Sequence, residues 1–298
     1  METDKIWQIA DYNAFVGAET LHPLVGVVDF SKLPPIKFEN LRRLFGYYAI
    51  YLKGPKFTEL TYGRRTYDYH EGTLVFFAPG QVAGSNDDGE YHQTKGCVLM
   101  FHPDLLKGSY LEQSIKRYTF FSYDVNEALC ITEQERKLFL DCLNLIDAEL
   151  HCGDELSKTL IIDYIKVVLD SCTRFYNRQF SVRKEECKDV LEKFEKLLDS
   201  YFEDGTAASD GYPSVQYCAG KLCLSTNYFS DLVKKETGIS ALKHIHRKMF
   251  EVAKQRLLLP GATVNDAAYY LGFRYPQHFS NWFKRMAGMT PNEYRTLP

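Results

Sequence analysis

The polar side chains best suited to chemistry fall into two sets about fifty residues apart. Thr226, Asn227, Ser230, Asp231, Lys234 and Lys235 form the first, and Gln277, His278, Asn281, Lys284 and Arg285 form the second. In each set, amides, hydroxyls or an imidazole stand near the start of a segment with helical apolar spacing, and cations follow toward its end. The former suit base edges in a major groove and the latter suit flanking phosphates. For one isolated segment an ordinary solvated helix face would be the plainer account. The duplication of the surrounding sequence favours the nucleic-acid reading.

At an offset of 50, "STNYFSDLVKKETG" (225–238) aligns with "YPQHFSNWFKRMAG" (275–288), matching Phe229 to Phe279, Val233 to Phe283, Lys234 to Lys284 and Gly238 to Gly288. Just upstream, at an offset of 49, "SVQYCAGKL" aligns with "TVNDAAYYL", so Cys218 and Ala219 match Ala267 and Ala268. A two-helix unit therefore occurs twice. Its first helix carries small residues where the second must approach closely. Its second helix packs through Phe229 and Val233, or Phe279 and Phe283, four apart on one face. Gly272 permits a sharp reversal between helices in the second copy, and Gly238 and Gly288 suit helix C-caps. Thr290, Pro291 and Glu293 supply an N-cap, an N1 proline and a capping-box acid for a last short helix.

Between the copies, "SALKHIHRKMFEVAKQRLLLP" reads as one helix from the Ser240 cap to Pro260, with Leu242, Ile245, Met249, Val252 and Leu257 as its stripe. About eighteen helical residues span roughly 27 Å, against about 34 Å between successive major-groove entries on one side of a duplex. Lys243, Arg247, Lys248, Lys254 and Arg256 are candidates for added phosphate contacts.

The elements ahead of this repeat differ in kind. Up to about residue 125, short β-branched and aromatic runs alternate with Gly, Pro, Asn and Asp, the pattern of a sandwich or small barrel. A Thr132–Glu135 capping box then opens a helix with the stripe Leu138, Cys142, Ile146 and Leu150. A second helix, through Leu160, Tyr164, Val168, Cys172 and Phe175, should fold back on it as a hairpin. A third carries Val190, Phe194, Leu197 and Tyr201, and "EDGTAASDGYP" reads as a linker. The expected class is α+β, with a β domain over 1–125, helical hairpin and linker helices over 126–205, and an all-α domain over 206–298.

The 298-residue chain has a formal net charge of −3, but from residue 212 onward 12 Lys and Arg face 5 Asp and Glu, about +7. A basic partner-binding surface is therefore expected at the C-terminal end. No apolar run reaches the roughly 18 residues of a spanning helix, and the first fifteen residues lack the layout of a secretory signal, so a cytoplasmic protein without membrane partners is expected. The eight cysteines have no CxxC spacing and read as reduced, partly buried thiols.

The pattern Gly272-Phe273, Pro276, Phe279, Phe283-Lys284, Gly288, Thr290-Pro291 and Tyr294-Arg295, preceded by "YFSDLVKKETG", closely resembles the double helix-turn-helix domain of AraC/XylS-family bacterial transcription regulators over roughly the last 88 residues. The resemblance implies sequence-specific binding to double-stranded DNA, with base-reading positions at Asn227, Ser230 and Asp231 and at Gln277, His278 and Asn281. Asp231 departs from the cation or amide common there, and a carboxylate would instead accept from cytosine. The stretch "EGTLVFFAPGQV" resembles the cupin-like sensor barrel common in this family. That likeness implies a small-molecule effector, a homodimer and RNA polymerase as a further partner. A cupin-type enzyme carrying a DNA module is the rival reading. Against it, the first 211 residues lack the His-x-His pair that cupin enzymes use for metal, and Val82 and Ala83 follow "PGQ". His70, Glu71, His92 and His102 are therefore read as surface or packed residues. No catalytic residues, metal or cofactor are expected.

Overall fold

The computed structural model describes residues 6–37, 42–54, 60–62, 65–67, 72–85, 90–124, 127–182 and 184–296. His70 and Glu71 lie outside them. Two compact units divide at Val182 and Arg183.

In the N-terminal unit, one five-stranded sheet pairs Leu129–Cys130, Thr73–Phe77, Tyr48–Lys53, Gly96–Phe101 and Val25–Asp29 in that order, all antiparallel. A second orders Ile6–Trp7, Arg42–Phe45, Val82–Ser85, Leu60–Tyr62 and Arg65–Tyr67, with its first pair parallel. Tyr91–His92 and Ile36–Lys37 form a two-stranded ribbon. The central strands of the first sheet are apolar at nearly every position because both faces are covered. One face sends Ala49, Tyr51, Val75, Phe77, Val98 and Met100 into a cluster with Phe45 of the second sheet and with Ile9, Tyr12 and Val16 of helix α1 (Ile9–Val16). On the other, Phe76 meets Phe120, Phe121 and Tyr176 at ring-centroid distances of 4.6, 5.8 and 5.9 Å. Lys53 ends its strand fully buried, with its amine 6.0 Å from the Tyr51 ring centroid, and burial pushes its pKa well down.

After the single turn α2 (Leu111–Ser114), helices α3 (Glu133–Cys152) and α4 (Ser157–Val182) form the expected hairpin. Thr132 and Glu135 make the capping box, and Arg178 of α4 holds Glu135 at 2.7 Å. The buried stripes differ in detail from those read in the sequence. On α3 they are Phe139, Cys142, Leu143 and Ile146, with Leu138 39% exposed; on α4 Ile161, Ile162 and Ile165 lead, while Leu160 and Tyr164 are half-buried. Apolar residues on both sides of a stripe leave its phase open by one position, and packing against the sheet decides it. All eight cysteines are free thiols, five of them buried.

The C-terminal unit comprises α5 (Lys184–Glu203), α6 (Thr206–Asp210), α7 (Val215–Lys221), α8 (Thr226–Thr237), α9 (Ala241–Leu257), α10 (Val264–Tyr270), α11 (Pro276–Ala287) and α12 (Pro291–Arg295). Side chains start these helices, at Ser240 and Thr290 as the sequence suggested: Ser214, Ser225 and Ser240 each accept from the backbone N–H three residues on, and Thr263–Asp266 and Thr290–Glu293 are capping boxes. Gly238 and Gly288 end α8 and α11 in the left-handed conformation. On α9 the buried stripe is Ala241, Ile245, Met249, Ala253 and Leu257, and Leu242 is 47% exposed.

The stretch read as a linker is packed instead. Ala207 of α6 is fully buried, Tyr201 donates to the Gly211 carbonyl at 2.8 Å, and the Tyr212 ring lies 5.8 Å from that of Phe273. Small, polar residues marked it as a linker, yet small residues also let chains cross closely. Gly272 (φ +84°) sits at such a crossing, where a Cβ would lie 2.5 Å from the Ala207 carbonyl oxygen and 2.6 Å from the Tyr212 nitrogen. Its counterpart in the first copy is Cys223, also left-handed at φ 59° but exposed. The same turn therefore demands glycine only where another chain crosses it. Gly272→Ala should cost the C-terminal unit about 2 kcal/mol or more. Cys223→Gly should be neutral to stabilising by about 1 kcal/mol. Thermal melts compare the two, and equal effects would contradict the crossing as the cause.

Candidate nucleic-acid interface

Helix α11 begins at Pro276, whose missing N–H is one that a first turn leaves without a helical partner. Phe279 and Phe283 are fully buried and Trp282 nearly so. The Phe283 ring lies 5.3 Å from Phe250 of α9 and 5.4 Å from Tyr294 of α12, and Phe279 lies 5.4 Å from Phe273. Truncating such a buried ring typically costs about 3–5 kcal/mol, so this face fixes the rotation of the helix. The opposite face carries Gln277, His278, Asn281, Lys284 and Arg285, and all five are exposed. Tyr275 stands edge-on to His278 at 5.4 Å and steadies that imidazole; nothing in the repeat alignment singled it out.

Helix α8 presents its set differently. Tyr228, Phe229, Leu232 and Val233 are buried, with the Phe229 ring 4.9 Å from Phe194 of α5. Thr226, Asn227, Ser230 and Asp231 are half-buried, and of this set only Lys234 and Lys235 are exposed. The Ser230 hydroxyl donates to the Thr226 carbonyl at 2.7 Å, within its own helix. Tyr228, the counterpart of exposed His278, is turned inward. The two faces are thus not equivalent, although the sequence treated them alike.

Of the α9 cations, three are engaged inside the unit. Lys248 pairs with Asp199 of α5, Lys254 lies 5.0 Å from the Phe250 ring centroid, and the Arg256 guanidinium stacks 3.4 Å from that of Tyr270. Tyr270 in turn donates to the Phe202 carbonyl at 2.5 Å. Lys243 and Arg247 remain exposed. These ties, together with Phe194, make α5 part of the helix-turn-helix scaffold. Phe194 and Tyr201 of its expected stripe are buried, while Leu198 and Phe202 rather than Val190 and Leu197 complete it; its partners lie 35 to 70 residues away and leave no local pattern.

A family profile described as a helix-turn-helix domain matches residues 218–296. Thirty-five per cent of 77 residues are identical to the uncharacterized HTH-type transcriptional regulator YtdP of Bacillus subtilis (strain 168), covering 26% of this chain and 10% of that one. Over 117 residues, 28% match the HTH-type transcriptional activator RhaS of Escherichia coli O157:H7 (strain EC4115 / EHEC), 38% of this chain and 41% of the relative. The C-terminal unit carries an AraC-type helix-turn-helix domain. The chain spans less than half the length of either relative. The solved C-terminal domain of the two-component response regulator yesN from Fusobacterium nucleatum is 29% identical over 34% of this chain and 96% of its own, with a TM-score of 0.30.

Elsewhere among the described residues, His102 caps the turn after it by accepting from Asp104 N at 3.1 Å. No helix of the described residues is long and apolar enough to cross a membrane.

Within the AraC-type domain, burial lowers the pKa of His244 and of His246, helped by the charges of Arg247 and Arg285 respectively. A folded-state pKa below the unfolded one favours the neutral ring in the fold. The stabilisation is therefore present above about pH 6.5 and is lost as pH falls through the lowered values. Melts of the full chain should show the AraC-type domain weakening between about pH 7 and pH 5, and a His244→Gln/His246→Gln variant should flatten that dependence. An unchanged slope would contradict it.

Proposed function

We propose that this chain is a sequence-specific DNA-binding transcription regulator in which α8 and α11 enter successive major grooves of one duplex face. The observation that carries the reading is the exposed face of α11, where an amide, an imidazole and a second amide precede two cations on a helix whose rotation is fixed by three buried aromatics. The 17 residues of α9 give about 25 Å of spacing between the copies. Gln277, His278 and Asn281 read base edges from α11, and Lys284 and Arg285 hold phosphates. Thr226, Asn227, Ser230 and Asp231 form the corresponding set on α8, with Lys234 and Lys235 on the backbone.

In the same reading the N-terminal unit is a cupin-like barrel that senses a small molecule, and the α3–α4 hairpin supplies a homodimer contact. An effector shifts the DNA-binding equilibrium by its differential affinity for two arrangements of the chain. RNA polymerase is the further partner, and the chain works in the cytoplasm. The two relatives named above support this reading, since each is described as a transcriptional regulator or activator.

DNA affinity should fall steeply with salt through counterion release. Gln277→Ala or Asn281→Ala should reduce discrimination between specific and random DNA by about 1–3 kcal/mol for each bidentate base pairing that it removes. Lys284→Ala or Arg285→Ala should weaken all sequences alike. Selection of genomic fragments by the purified chain, followed by titration of each variant on selected and random duplexes, measures both effects. Equal losses of affinity on both duplexes for Gln277 and Asn281 would refute their assignment.

A further inference from the structure

In the N-terminal unit, a cleft of about 600 Å³ runs between α3 and the edge strand Val25–Asp29. That size is typical of small-molecule sites. We infer that it binds an organic anion with an apolar body, the anionic group lying between Arg136 and Lys95. The inference rests on reading the N-terminal unit as the sensing part of the chain.

Charge at one end of the cleft is unbalanced. Asp29 pairs across the sheet with Cys97. Around that pair stand Lys32, 3.7 Å from Asp29, then Lys95, two residues before Cys97, and Arg136, whose charge acts on the Cys97 thiol. Lys32 already offsets Asp29. Among the described residues Arg136 is held only by Glu133 at 3.7 Å, a carboxylate 90% exposed, and such surface pairs contribute little. Lys95 has no ion pair among the described residues. Two cations are therefore available to a ligand at this end. The other carboxylates are less suited to attract a cation: Asp147 lies 3.9 Å from His151, and Glu19 is exposed at the rim.

Backbone packing fixes where Lys95 stands. Gly54 donates to the Lys95 carbonyl at 3.2 Å, and a Cβ at residue 54 would lie 2.7 Å from that same oxygen. At Gly96 (φ +114°) a Cβ would lie 2.2 Å from the Leu52 carbonyl oxygen. Two glycines thus press the chain segments together and hold Lys95 at the mouth independently of its side chain. Away from the cations the walls turn apolar, with Val27 and Leu52 on the sheet and Leu140 and Leu143 on α3. A short acid would therefore place its charge at the first turns of α3 and its hydrocarbon along the next two. Because α3 is one wall and pairs with α4, occupancy bears directly on the hairpin whose chain continues into α5.

The test is calorimetric titration of the full-length chain, without DNA, with octanoate, octyl phosphate and 1-octanol. At least one acid should bind and the neutral alcohol should not; which acid binds distinguishes a carboxylate from a phosphate ligand. Lys95→Gln/Arg136→Gln should weaken binding about tenfold or more, as loss of charge-assisted hydrogen bonds does. Leu140→Trp, which fills the cleft and leaves its charges in place, should abolish binding. The inference is overturned if neither acid binds at millimolar concentration, if octanol binds equally, or if a folded charge variant binds like the parent. Since DNA is absent, each of those results leaves the DNA-binding reading standing.

Discussion

The C-terminal unit depends on one crossing of backbone over backbone. At Gly272 two stretches of main chain approach until no side chain fits between them. The approach brings the turn of the second helix pair against α6 and seats Phe273 between Tyr212 and the aromatic cluster of α11. Everything the outer face of α11 presents is referred to that cluster, because a helix with three buried aromatics on one side has a single favourable rotation. Sterics at a glycine thus set the direction of an amide two turns away.

The first copy reaches a similar shape by different means. Its turn tolerates Cys223 in the same left-handed conformation, and its second helix is braced through Phe229 against Phe194 rather than through a crossing. That bracing accompanies a more covered face, with Tyr228 drawn inward where the second copy exposes His278. Duplicated sequence has therefore produced two surfaces of unequal accessibility, and the difference arises from what packs around each copy.

Much of this was legible beforehand. Caps at Ser240 and Thr290 and C-caps at Gly238 and Gly288 act within one turn, so a linear sequence exposes them directly. The repeat offset located α8 and α11, and the shift from short strands to helical periodicity located the hairpin. The readings that shifted were those set at a distance. Whether Leu138 or Phe139 faces the core depends on which neighbour α3 meets, and whether "EDGTAASDGYP" is loose or packed depends on a glycine some sixty residues later. Lys248 and Arg256 looked like phosphate ligands because an acid or ring from another helix leaves no trace beside them, and Lys254 because its partner Phe250, one turn back on α9, lay outside the apolar stripe read for that helix. The positive end of the α3 cleft was invisible for the same reason, since residues near 32, 95 and 136 meet only in three dimensions.

The packing of α5 and α6 also sets where this domain can be cut. Tyr201 and Phe202 bond to Gly211 and Tyr270, Asp199 to Lys248, and Phe194 lies against Phe229 and His244. A fragment started at residue 206, where the sequence pattern placed the border, leaves out α5, exposes the flanks of both helix pairs and forfeits the strut that spans them. A fragment that keeps this packing begins near residue 184, and a protease that nicks the chain between 203 and 213 should loosen the C-terminal unit rather than release it intact.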